Sequence, residues 1–209
     1  MSRLRHMLGC DRAAAAAEFA LVLPVTLLLV FGMIDVGRFM YVVNRAEKAT
    51  QVGVRMAVVT NPLSPDLIDA DYASGTLPAG ELIPADELGT FTCTSTGCTC
   101  TTAPCPAGGG AVDAAAHGLI ATRMNEILNG IGPANVQVSY SGSGFSFAGN
   151  PAGGGGGGPP EAMEISPLVT VSLVDLEFWP ITFVLMQQID MPAFSSTLPA
   201  EDASGAVSH

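Results

Sequence analysis

The stretch RAAAAAEFALVLPVTLLLVFGMI, Arg12 to Ile34, constrains this chain more than any other. Phe19 to Ile34 carries no charge, and the twenty-two residues from Ala13 to Ile34 carry one, Glu18. Wound as a helix, that length reaches about 33 Å, enough to cross a bilayer core. Arg3, Arg5 and Arg12 precede the run and Asp35 follows it. The positive-inside asymmetry therefore predicts a cytoplasmic N-terminus and an exported body. A cleaved secretory signal also begins basic and then apolar. Here the run exceeds an ordinary signal core, no small-x-small site follows it, and helical spacing continues beyond it. Cys10, in MLGC, precedes the apolar run and reads as an incidental cytoplasmic thiol. Pro24 removes one backbone hydrogen bond inside the span, so a kink or local loosening is expected there.

Past Ile34 the helical pattern does not stop. Apolar residues recur at Val36, Phe39/Met40, Val43, Ala46, Ala49, Val52/Gly53, Met56 and Val59, a stripe at helical spacing. Asp35 and Arg38 are placed for an i,i+3 pair, and Asn61-Pro62 ends the pattern. One helix from about Ala14 to Thr60 is predicted, roughly 70 Å long. Its stripe packs on the chain's own body and, in part, on neighbouring copies.

Charge divides the chain in two. Residues 1–56 hold seven of the eight basic residues against four acids, a net +3; residues 57–209 hold Arg123 and the other fifteen acids, a net −14. A body so acidic repels phosphate backbones, which argues against a nucleic-acid partner.

The segments AAAAAEFALVLP, FGMIDVGR and QVGVRMAVV together resemble the TadE-like family of the tight-adherence (Flp) pilus systems. The tail MPAFSSTLPAEDAS resembles exported tails of such proteins more weakly, and the main resemblance covers about residues 11–60. It implies a pseudopilin or minor pilin: a single-pass protein of the bacterial inner membrane, body periplasmic or extracellular, trimmed by a prepilin peptidase and needed for pilus assembly. Its implied partners are the lipid bilayer, other pilins or pseudopilins, and the assembly machinery. The family pattern places a glycine before the cut and a glutamate fifth in the mature chain. With Glu18 as that glutamate, the cut falls between Ala13 and Ala14, and Ala13 stands where the pattern has glycine. Cleavage and retention of the leader are both open. The resemblance gives Glu18 a role in subunit assembly, because a carboxylate in hydrocarbon calls for a partner. That partner is the amine freed on Ala14, in the same or an adjacent subunit. The plain alternative is a solvated Glu18 at headgroup depth near Arg12.

The body reads as an α+β fold: a long N-terminal transmembrane helix continuing into an exported amphipathic helix, then a loop-rich, pilin-like domain with one helix and a small antiparallel sheet. The divisions are a basic leader (1–13), the long helix (14–60), an acidic irregular connector (61–110), an α+β domain (111–193) and a polar mobile tail (194–209). The connector carries CTSTGCTCTTAPC, with Cys93, Cys98, Cys100 and Cys105. In an oxidising compartment four cysteines read as two disulfides. A Cys98–Cys100 ring is too tight, which leaves two connectivities, and Cys93–Cys98 with Cys100–Cys105 is preferred. A zinc site is the rival, although C-x4-C-x-C-x4-C is not a usual zinc spacing.

Ala111–Asn129 is a second helix candidate with an apolar face of Val112, Ala115/Ala116, Leu119/Ile120, Met124 and Ile127/Leu128, and Gly130 suits a C-cap. His117 has no catalytic companion at a telling spacing and reads as structural. NVQVSYS alternates as a half-buried strand, and ISPLVTVSLVDLEF, Ile165 to Phe178, as a more buried one. The glycine run at 151–160 lacks the Lys-Ser/Thr and following helix of a phosphate-binding loop, so it is a flexible link. PITFVLMQQID, Pro180 to Asp190, is too short to span a membrane; it is a core element or lies at the bilayer surface. No nucleophile–base pattern supports an enzyme, and no cofactor is expected. The alternative to a pseudopilin is an unprocessed, membrane-tethered structural or adhesive envelope protein.

Overall fold

The computed structural model describes residues 11–73, 76–106, 109–149, 163–182 and 187–200, without the side chains of residues 11–14 and 109. The basic leader with Cys10, the glycine run at 151–160 and the last nine residues lie outside them. The chain is α+β. Helix α1, Asp11–Val59, runs 49 residues without a break, and is followed by the short turn α2, Pro65–Ile68. Strands β1 (Thr90–Thr94), β2 (Gly97–Thr102) and β3 (Gly109–Gly110) come next, then helix α3 (Ala114–Ile127). Strands β4 (Val136–Ser141), β5 (Leu168–Leu173), β6 (Glu177–Phe178), β7 (Ile189–Asp190) and β8 (Phe194–Pro199) complete the order.

The chain forms two compact units. One holds residues 1–42 with Glu177–Asp190, the other Val43–Leu176 with Met191–His209. In the second unit six strands form one antiparallel sheet in the order β3-β2-β1-β4-β5-β8. Alternation sorts its side chains cleanly, since successive residues of a strand point to opposite faces. Phe91, Cys93, Val138, Tyr140, Val169 and Val171 are buried on one face. On the other, Thr99, Thr92, Ser139, Thr170 and Thr197 stand directly opposite one another across five strands. Thr92 pairs with Ser139 at 3.0 Å and Thr170 with Thr197 at 2.8 Å. None of the six strands carries a charged residue.

Two expectations are corrected here. The segment expected to be an irregular connector supplies three strands, because Thr-Phe-Thr-Cys-Thr alternates and a two-residue turn, Ser95-Thr96, returns the chain on itself. The tail expected to be mobile begins with strand β8, which pairs with β5 over six residues. Its outward positions, Ser195 and Thr197, are those of a solvated sheet face, which is why the segment looks polar.

Helix α3 covers the core. Asp113 caps it, its side chain accepting from the Ala115 and Ala116 amides at 2.9 and 3.0 Å, which starts the helix three residues later than expected. Its buried face is Ala116, His117, Ile120, Ala121 and Met124, turned away from Leu119, which is 53% exposed. His117 lies 3.2 Å from the Val136 carbonyl, a structural role. The lower part of α1 packs through small residues: Ala46, Ala49, Thr50, Gly53, Val54 and Ala57 are buried. The expected stripe is thus rotated, leaving Val59 exposed and Met56 half-buried. A Cβ on Gly53 would lie 2.6 Å from Met124 Sδ, so the two helices approach as closely as glycine permits. Arg45 donates to the Ile127 carbonyl and satisfies the end of α3. The Tyr140 hydroxyl accepts from the Leu63 amide at 3.1 Å, tying the chain beyond α1 to the sheet.

Candidate membrane and assembly site

The N-terminal part of α1 has the properties of a bilayer-crossing helix. Its most apolar stretch has a mean hydropathy of 2.4 and is almost wholly uncovered by the rest of the chain. Leu21, Val25, Leu29 and Met33 are among the large apolar side chains left exposed. Leaving such area in water costs about 25 cal/mol per Å², so this surface needs lipid or another apolar partner. Helix assignment is unbroken through Pro24. Two residues on, the Thr26 hydroxyl donates to the Val22 carbonyl at 3.0 Å, a hydroxyl contact of the kind that membrane helices use near proline.

Of the residues singled out from sequence, Ala13 and Ala14 lie in the first turn of α1. Glu18 is exposed on the helix, and among the described residues no hydrogen bond or ion pair engages it. The cysteines come together in pairs. Cys93 Sγ is bonded to Cys98 Sγ and Cys100 Sγ to Cys105 Sγ. Cys93 and Cys98 face each other in the β1–β2 register with Cα atoms 4.0 Å apart, the close spacing of a non-hydrogen-bonded antiparallel pair. Both are buried, so this bridge is part of the core face. Among the described residues no group of three or more His, Cys, Asp or Glu is arranged to hold a metal ion.

A second carboxylate, undervalued by the sequence reading, is the better-organised one. Asp35 follows the apolar run directly and is buried. Its Oδ1 accepts from the Ile181 amide at 2.7 Å and from Arg38 at 3.3 Å. Its Oδ2 accepts from the Thr182 amide at 2.9 Å and the Thr182 hydroxyl at 2.7 Å. Phe178 then meets Phe39 edge-on at 5.3 Å between centroids, with the Arg38 guanidinium 5.5 Å from its ring centre. The expected Asp35–Arg38 pair is therefore present, but it is the smaller part of the arrangement. The only sequence signal for the rest was a carboxylate placed directly after an apolar run.

Residues 13–55 match the family model described as TadE-like protein. This segment is TadE-like. No curated protein and no solved structure matches the chain. The TadE-like match coincides with most of α1 and includes both carboxylates, Glu18 and Asp35. The match covers that segment and supports an association with tight-adherence pili; among the described residues, one helix is long and apolar enough to cross a membrane.

Proposed function

We propose that the protein is a pseudopilin or minor pilin that takes part in assembling a tight-adherence pilus. The observation that carries this is the coincidence of the TadE-like match with one continuous helix, exposed and apolar at its beginning and packed by small residues further on. Such a helix gives one end to lipid or to neighbouring helices and the other to its own body. The N-terminus is cytoplasmic, the body lies beyond the inner membrane, and the role is structural. A prepilin peptidase cuts between Ala13 and Ala14. The freed amine of Ala14 then neutralises Glu18 in the same or an adjacent subunit, setting the register of a subunit entering the stack. Partners are the bilayer, other pilins or pseudopilins, and the assembly machinery.

Ala13, in the place of the glycine of the family pattern, favours a second reading: an uncleaved, membrane-tethered structural or adhesive envelope protein. Intact-mass measurement of the protein extracted from membranes decides between the two. A chain beginning at Ala14 supports the pseudopilin. A chain that retains Arg12 and Ala13 removes the amine and with it the proposed role of Glu18.

A further inference from the structure

We propose that the segment Glu177–Thr182 with its return strand is a second bilayer contact, seated in the leaflet from which α1 emerges and holding the apolar tip Trp179–Ile181 among lipid chains. The proposal rests on α1 being membrane-spanning, and its location follows from the chain's own contacts. Asp35 stands one residue past Ile34, the last residue of the apolar run. By binding both the Ile181 and Thr182 amides it fixes the tip at that level of the helix. The tip cannot withdraw from the end of the span without losing its acceptor.

The element joins polar and apolar side chains. At its base Glu177 lies opposite Asp190, and Gln188, on the loop side of Ile189, reaches back to donate to Glu177 at 3.3 Å. Next, Phe178 lies opposite Ile189, with Phe178 buried against the helix. At the tip Trp179 is 57% and Ile181 47% exposed, and Val36 of α1, which lines a cavity with Pro180, is 61% exposed. In a soluble protein an exposed tryptophan and isoleucine together would be costly. At a membrane surface a tryptophan is at home, its ring in the acyl–headgroup boundary and its N–H toward water. Arg38, with its side chain half exposed, lies beside the same element and suits the level of lipid phosphates.

An apolar cavity of about 490 Å³ extends this surface, lined by Gly32, Val36, Phe39, Met40, Phe178 and Pro180 among others. Its lining reaches from Met40 back to Gly32, inside the apolar run. The continuity of that lining with the span identifies the occupant as a lipid acyl chain.

Trp179 is the only tryptophan of the chain, so its fluorescence reports this site alone. The test reconstitutes the full chain in phosphatidylcholine–phosphatidylglycerol vesicles. The lipids are brominated either near the glycerol end or near the methyl end of the acyl chain, and iodide serves as an aqueous quencher. Blue-shifted emission that glycerol-end bromines quench more than methyl-end bromines, with little effect of iodide, is the expected result. Vesicle-bound protein with emission quenched by iodide and not by brominated lipid overturns this proposal while leaving the anchor intact. A blue shift insensitive to both brominated lipids and lost at low protein-to-lipid ratio also overturns it, since a second copy then covers the tip. Failure of the protein to float with vesicles overturns the spanning helix itself, and this proposal with it.

Discussion

Glu18 and Asp35 are both carboxylates of one helix, seventeen residues apart, and their surroundings are opposite. Asp35 is buried and accepts from two amides, one hydroxyl and one guanidinium. Glu18 is exposed on a helix surface that is otherwise apolar, with no hydrogen bond or ion pair among the described residues. A buried carboxylate with its acceptor capacity filled from its own chain is a structural clip. One left outward-facing in an apolar stretch is costly in lipid and suited to a group brought by another chain or by processing. On the proposed function the same side-chain chemistry serves two ends: Asp35 shapes the chain, and Glu18 prepares it for a neighbour.

The largest effect that tests this contrast is on assembly. Glu18→Ala is expected to abolish piliation in the native host while leaving the thermal unfolding midpoint of the body unchanged. Normal piliation in that variant would break the contrast by making Glu18 a solvated surface residue. The complementary change, Asp35→Asn, preserves shape and removes charge. Hydrogen exchange should then speed up at the Ile181 and Thr182 amides by about tenfold, as expected when charge-assisted bonds weaken. Amides of β4 and β5, in the other unit, should be unaffected. Unchanged exchange at Ile181 and Thr182 would show that Phe178, rather than Asp35, holds the segment.

The contrast also shows which parts of the molecule can be read from sequence. The long helix was legible because its apolar run and helical spacing are local patterns, and strands β4 and β5 because Val136, Val138 and Tyr140 alternate with polar residues. Strands β1 and β2 were missed because threonine, glycine and cysteine carry a weak apolar alternation, and Cys93 and Cys98 act as core residues. Strand β8 was missed because half its side chains face solvent. Glu18 could be singled out from the apolar stretch around it. The clip at Asp35 could not, since its donors come from 146 and 147 residues away and two of them are backbone amides that any sequence possesses. The rotation of the α1 face was equally hidden: Gly53 packs because Met124 lies against it, and only the tertiary fold pairs them.

A third change separates the body's stability from both carboxylates. Replacing Cys93 and Cys98 together by serine opens a loop of five residues' separation. The loss is about 2 kcal/mol by loop-closure entropy, read as a lower midpoint in denaturant. Piliation should survive if enough folded protein remains, because Glu18 and Asp35 belong to the other unit. Non-reducing peptide mapping checks the pairing, and a Cys98–Cys105 peptide would refute it.

The smallest expected effect concerns Tyr140, which resembles Asp35 in being a buried polar group engaged by backbone. Burial pushes its hydroxyl from 10.0 up to about 12, with the Leu63 amide pulling weakly the other way. The folded chain therefore keeps the phenol proton where the unfolded chain releases it. The associated stability is complete below pH 10 and is lost as pH rises from about 10 to about 12. Tyr140→Phe leaves the Leu63 amide without its acceptor, a cost of about 1 kcal/mol at neutral pH, and flattens the alkaline decline. The decline should not vanish, because Tyr72 is also held up to about 12, by burial and then by the charges of Glu164 and Glu87. Denaturant midpoints of wild type and variant measured across that window should converge as pH rises. Parallel curves would show that the hydroxyl is hydrated in solution, and that the engagement of buried polar groups by backbone, so firm at Asp35, does not extend to the sheet.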